Sequence, residues 1–376
     1  MPPQAIRFPD VLFCPRQSVN ISRARQLGLS AAALHYLDLR TRYYGDESQG
    51  QPNSSLDAEL DLFLERTGLS LSEFFVAVGP QCEEHLVFIR FNSRQYNCSQ
   101  LRPVFMEIGK FCWLVPSLGS PDYPGSYGAL ELAFVGLSGL STPRDAHFSE
   151  LVYGLEVAVH LHYHPFRPEF VSVPLKAASV LSVQESRHEQ ANPYPWSAVC
   201  QHRDWHRALS TWDSYQTACY YPKLIKICGC VLLLDWGRMH ELWGSEFGLP
   251  APVRECLPKD QPCISTAFSN MTPVQDCQPQ ALPSCEHWAY QTSFSQMLMQ
   301  PNPSRPANAQ AWIHPDYTQV AVQFDTFQVR TTRESVSMTV PDFIGSIGGA
   351  TGVFIGASIV SITEIVVFFL CGFCSH

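Results

Sequence analysis

The chain has 376 residues, with 25 basic against 34 acidic side chains and a net charge of −9; charged residues make up 16% of it, where average usage is about 25%. With 12% aromatic residues and no basic run, it is neither a disordered chain nor one that grips nucleic acid through a cationic face. Fourteen cysteines are too many and too dispersed for a typical cytosolic enzyme, and they read as an extracellular disulfide framework.

The chain opens on Met1-Pro-Pro-Gln and runs straight into Ile6-Arg7-Phe8-Pro9-Asp10. No basic segment followed by an apolar one is present there, so no signal peptide is visible. A cysteine-rich chain still needs a route across a membrane. Either an N-terminal piece is missing or a later segment does the targeting. Ser54 to Glu65 and Ser70 to Val78 pattern as helices, with Ser54 or Ser55 and Ser70 or Ser72 as candidate N-caps. Leu130 to Val135 and Val180 to Val183 are short strand candidates. Glu156 to His162 and Thr318 to Phe324 alternate as half-buried strands do. His160, His162 and His164 share one face of the first of these. They read as solvated histidines on a strand edge, or as an acid sensor or metal ligands. Pro193 to Pro195 and Pro301 to Pro306 are loops. The chain therefore mixes α and β.

Four Asn-x-Ser/Thr sequons, at Asn20, Asn53, Asn97 and Asn270, are candidate glycosylation sites and favour the lumenal or extracellular side. Cys228-Gly-Cys230 raises a metal reading, but zinc pairs have two to four intervening residues and no matching histidine pair follows. No nucleophile elbow or other catalytic constellation is present, so no enzyme, cofactor or metal site is expected.

From Phe343 to Cys374 there is one ionisable carboxylate, Glu364, and no lysine or arginine. About 20 apolar residues cross a bilayer, so this stretch is expected to be a transmembrane helix. Gly345, Gly349, Gly352 and Gly356 fall on one helical face, where small residues let backbones approach closely. A carboxylate at Glu364 belongs in a bundle interior or a water-filled path. Arg330 and Arg333 precede the helix and by the positive-inside rule would place the large domain inside. Cysteines and sequons place it outside, and they carry more weight.

In order along the chain, five landmarks resemble the family of epithelial sodium channels, degenerins and acid-sensing channels. IRFPDVLFC at Ile6 to Cys14 resembles the FPAVTxC strand after that family's first transmembrane helix. Phe105 to Cys112, FMEIGKFC, resembles its (F/Y)xxxGxCxxF element. Pro195-Trp196 ahead of Cys200 resembles its PPWxxC loop. Ser214 to Cys219, then Cys228-Gly-Cys230, resembles the opening of its cysteine-rich thumb. Ile347-Gly348-Gly349 through Gly356-Ala357-Ser358 to Glu364 resembles its second transmembrane helix, and is the most specific match. The resemblance covers nearly the whole chain and is most like an invertebrate, pickpocket-type subunit.

It implies an α+β, disulfide-rich extracellular domain of palm, β-ball, finger, thumb and knuckle over residues 1–336, with the thumb at about 200–290. A C-terminal pore helix follows at 337–376. It implies a homo- or hetero-trimer of related subunits in the plasma membrane, in contact with lipid, conducting sodium ions and blocked by amiloride. Gly356, Ala357 and Ser358 sit where the family places its constriction, and Trp196 where a tryptophan couples thumb to membrane. Family order pairs Cys14 with Cys112, Cys82 with Cys98, Cys200 with Cys285, Cys228 with Cys263 and Cys230 with Cys256. That leaves Cys219 for Cys277, because Lys223 and Ala281 stand where the family has cysteines. Ser346 stands where the family carries an aspartate, and Asp342, one turn earlier, is expected to supply the pore-mouth carboxylate. The first transmembrane helix is not seen, so the chain reads as a fragment that does not conduct alone. A non-conducting, single-pass surface binding protein is the alternative, as is a non-functional truncated channel; an anchored hydrolase ranks last.

Overall fold

The computed structural model describes residues 6–16, 19–42, 53–106, 110–137, 140, 154–160, 169–190, 200, 212–232, 254–270, 285–298, 317–334, 340–355 and 359–374. Strand β1 (Asp10–Pro15) is buried at every position. Its side chains alternate between two cores: Val11 and Phe13 enter the main one, and Leu12 and Cys14 a smaller one with Val104, Met106, Cys112 and Leu114. An unbroken apolar run suits a strand covered on both faces.

Four helices follow, α1 (Ile21–Leu27), α2 (Ala31–Arg42), α3 (Ser54–Thr67) and α4 (Leu71–Val78). Their boundaries are set by side chains that satisfy the free N–H groups of the first turn. Asn20 Oδ1 accepts from Arg23 N at 3.1 Å. Asn53, rather than Ser54 or Ser55, caps α3: its Oδ1 accepts from Ser55 N at 3.1 Å and Leu56 N at 3.3 Å, which a serine already inside the first turn does not reach. Ser70 caps α4 in a reciprocal box with Glu73, whose carboxyl is held below its usual pKa by those hydrogen bonds. Both α1 and α3 end on a glycine in the left-handed region, Gly28 at φ 93° and Gly68 at φ 67°, which costs a glycine least.

The short α5 (Cys82–His85) leads into β2 (Leu86–Phe91), β3 (Arg94–Tyr96), β4 (Arg102–Met106), β5 (Lys110–Val115), β6 (Leu130–Phe134), β7 (Leu155–His160), β8 (Val171–Val173) and β9 (Ala177–Glu189). After helices α6 (Trp212–Cys228) and α7 (Gln261–Asn270) come β10 (Glu286–Leu298), β11 (Thr318–Phe324) and β12 (Arg330–Arg333). One sheet has the order β4-β5-β1-β7-β8 and the other β10-β9-β11-β6-β2-β3, with β12 added to β9. The main core lies between the sheets and the helices. Phe13 of the first sheet faces Phe134 of the second at 6.0 Å, Trp113 stacks on Phe134 at 5.5 Å, and Phe8 meets Phe91 edge-on at 4.9 Å.

Two sequence expectations are corrected here. The candidate at Val180 to Val183 is the middle of a strand of 13 residues. Its polar second half is extended because β10 and β12 hold it on both sides. His160 is not a solvated histidine: it is 6% exposed at the end of β7, opposite Asp10 of β1. His162 and His164 lie outside the described residues.

The apolar C-terminal stretch is described as two helices, α8 (Val340–Ile355) and α9 (Ile359–Cys374), of 16 residues each, on either side of residues 356–358. Among the described residues no helix is long and apolar enough to cross a membrane.

Candidate functional site

Three features of the described residues precede or form the C-terminal helices. The first is a set of disulfides that fixes the cysteine-rich segment. Cys228–Cys263 and Cys230–Cys256 join α6 to α7 and to the segment before it, and Cys200–Cys285 closes the segment at its base. Cys14–Cys112 and Cys82–Cys98 staple the body. These five pairings are those implied by family order. The proposed Cys219–Cys277 bridge lies outside what is described.

The second feature is a three-stranded ribbon. At Ser186 to Glu189, β9 pairs antiparallel with β10 on one side and parallel with β12 on the other. Glu334 N donates to Glu189 O at 2.8 Å and Gln190 N to Cys285 O at 2.7 Å. The ribbon thus carries the disulfide-closed base on one edge and the strand leading to α8 on the other. Side chains reinforce it. Arg187 donates to both oxygens of Glu286, from Nε at 2.9 Å and Nη2 at 2.8 Å, and lies 3.1 Å from Glu189. Arg333 Nε donates to Glu189 at 2.7 Å. The Trp288 ring lies 5.5 Å below the Arg187 guanidinium, and its N–H donates to Glu286 at 3.0 Å. The hydrogen bonds to Glu286 hold the Arg187 pKa above its ordinary value. Bidentate pairing of this kind fixes orientation as well as charge. The sequence gives no sign of it, because Arg187 and Glu286 are 99 residues apart and Arg333 and Glu189 144.

A second polar contact joins the helical region to the cysteine-rich segment. Glu255 accepts from Ser72 N at 2.9 Å in the first turn of α4, where the helix dipole favours a carboxylate. Lys259 donates to both oxygens of Asp61 at 2.8 and 2.7 Å. Arg254 holds Asp260 at 2.6 and 2.7 Å, and Leu257 N donates to the same carboxylate. Burial alone would raise the Asp260 pKa, but these hydrogen bonds and charges together lower it.

The third feature is the helix pair. Asp342, Ser346 and Gly349 recur at four and three residues on α8, on one helical face. All three are exposed. A Cβ built on Gly345, Gly348 or Gly349 would meet nothing within 4 Å, so among the described residues nothing covers these three glycines. Large apolar side chains of the pair are exposed: Phe343 is 54% exposed, Ile344 63% and Phe368 76%. Glu364 lies on α9 and is also exposed. Gly356, Ala357, Ser358 and Trp196 lie outside the described residues.

Of the sequon asparagines, Asn20, Asn53 and Asn97 commit Oδ1 to backbone N–H groups. Asn270 ends α7 with an exposed side chain.

A family model described as "Amiloride-sensitive sodium channel" matches residues 1–368. The chain is similar to the bile acid-sensitive ion channel of Rattus norvegicus, 21% identical over 98% of this chain and 75% of the relative. It is similar to the sodium channel protein Nach of Drosophila melanogaster, 21% identical over 98% of this chain and 73% of the relative. It also matches acid-sensing ion channel 4-B of Danio rerio, 21% identical over 96% of this chain and 62% of the relative.

Proposed function

The chain belongs to the family of amiloride-sensitive sodium channels, ion channels rather than enzymes, and from that premise we propose that it is one subunit of a trimeric, amiloride-sensitive sodium channel of the plasma membrane. The carrying observation is a pair of largely apolar helices with exposed apolar side chains, in which Gly345, Gly348 and Gly349 meet nothing among the described residues. In this reading residues 1–336 form the extracellular domain and 337–376 the membrane part. Three copies of α8 and α9 approach through the small-residue face. Backbone carbonyls at Gly356, Ala357 and Ser358 replace the hydration shell of the ion at the narrow point. Glu364 faces the water-filled path, which spares it the cost of a carboxylate in lipid. Asp342 supplies a ring of negative charge at the mouth, where the family's aspartate is replaced by Ser346. The β9–β10–β12 ribbon carries movement of the cysteine-rich thumb, aided by Trp196, into α8.

The test is expression in oocytes alone and with related subunits, with recording of amiloride-sensitive sodium current. Asp342→Asn lowers single-channel conductance and weakens block by external divalent ions, and Ser346→Asp strengthens both. Surface delivery without current in any combination would overturn the channel reading. Normal current with no effect of either variant would remove only the role given to Asp342.

A further inference from the structure

Between α6 and α7 lies a groove of about 510 Å³, lined by Ile227, Pro262, Cys263, Thr266, Ala267 and Asn270. None of these six side chains is charged. Small-molecule sites run to about 300–1,000 Å³ and are mostly apolar with a few polar groups, and this lining has that character. Pro262, Cys263, Thr266 and Asn270 form one stripe along α7, spaced as residues of one helical face. The stripe runs from the Cys228–Cys263 disulfide to the last residue of the helix. That last residue opens the sequon Asn270-Met271-Thr272. On the opposite wall Ile227, next to Cys228, is 59% exposed.

We infer that Asn270 is N-glycosylated and that the inner N-acetylglucosamine residues of its glycan lie back along this groove, over the Cys228–Cys263 disulfide. The modification joins the Asn270 Nδ2 to the anomeric carbon of a lipid-linked oligosaccharide. The C1–N bond forms, the C1–O bond to the lipid diphosphate breaks, the diphosphate leaves, and the amide proton passes to a base on the transferase. The occupant is specified by its attachment point, because the asparagine itself lines the groove. A tethered sugar is present at high effective concentration and needs little intrinsic affinity. The C–H face of a pyranose and the acetyl methyl group match Ile227, Pro262 and Ala267, and the Thr266 hydroxyl offers one hydrogen-bond partner. The other three sequons differ: their asparagines cap helical turns. The consequence is a cover over the disulfide that joins α6 to α7, and thiol–disulfide exchange depends on access.

The inference does not require conduction, and its test does not read current. The full chain is produced in insect cells, glycopeptides are mapped, and reduction of Cys228–Cys263 by dithiothreitol is followed by alkylation and mass spectrometry. Asn270→Gln and Thr272→Ala should each remove one glycan and speed reduction by about threefold or more, as an access effect does. Ile227→Ser, at an exposed position, should keep the glycan and speed reduction to the same degree. The double variant Asn270→Gln with Ile227→Ser should be no faster than either single one. A bare Asn270 overturns the inference, whether or not other sequons are occupied. Full occupancy with an unchanged reduction rate in Ile227→Ser, or additive effects in the double variant, overturns the seating in the groove.

Discussion

The two-sheet body and the C-terminal helices use the same kinds of apolar side chain to opposite ends. In the body, Phe134 is 0% exposed, stacked on Trp113 and touching Phe13 from the facing sheet. On α9, Phe368 is 76% exposed and its ring neighbour is the adjacent Phe369. The body completes its own core. The helices carry apolar surface that the described residues leave exposed, and in the channel reading proposed above lipid and other subunits cover it. The ribbon of β9, β10 and β12 stands between the two in chain order, since β12 is the last described strand before α8.

The sharpest way to break that contrast is truncation at matched residues. Phe134→Ala should cost about 3–5 kcal/mol, as aromatic truncations in packed cores do, and lower the unfolding midpoint of the detergent-solubilised chain accordingly. Phe368→Ala should leave that midpoint unchanged, and a loss of similar size there would show that α9 packs on the body. Next in size is removal of Cys14–Cys112, which closes a separation of 98 residues. Cys14→Ser with Cys112→Ser should cost about 2–5 kcal/mol, read as a fall in urea midpoint. A smaller effect is expected at the ribbon. Arg187→Gln should cost less than about 1 kcal/mol of stability, because the pairs are partly solvated. It should nonetheless alter the opening and closing rates of the channel proposed above, since it loosens the strand that leads to α8. A double-mutant cycle of Arg187→Gln with Glu286→Gln measures the coupling.

The smallest effect concerns acid. The folded Asp260 pKa lies below its ordinary value of about 3.9. Its contribution is therefore fully present above the unfolded pKa and is lost as pH falls through the folded one. Asp260→Asn should be the less stable protein at pH 7, and the difference should shrink below about pH 4. A difference that instead grows on acidification would mean that burial, not Arg254, dominates the carboxylate.

Much of this was legible in one dimension because it depends on local chemistry. The alternation at Thr318 to Phe324 gave β11 with its bounds, and of the two cap candidates Ser70 and Ser72 it is Ser70 that starts α4. The paucity of charge from Phe343 onward separated the C-terminal helices from the body, because burial in any apolar medium requires it. The family itself was readable from short landmarks such as Gly349 to Glu364. Asn53 was read as a sequon and its capping role missed, because the same carboxamide satisfies both patterns.

What only the tertiary structure decided are the pairings across long separations. Polar residues from Gln184 to Glu189 have no strand signal, yet they are extended because β10 and β12 supply partners to their backbone groups. His160 is buried on a strand that pairs with β1, where it stands opposite Asp10, far from it in the chain. Arg187, Glu189, Glu286 and Arg333 are ordinary surface charges until the sheet brings them within hydrogen-bonding reach. Periodicity reports which face of an element is apolar. It is silent on which element will cover that face, since the cover is chosen by register and topology over a hundred residues or more.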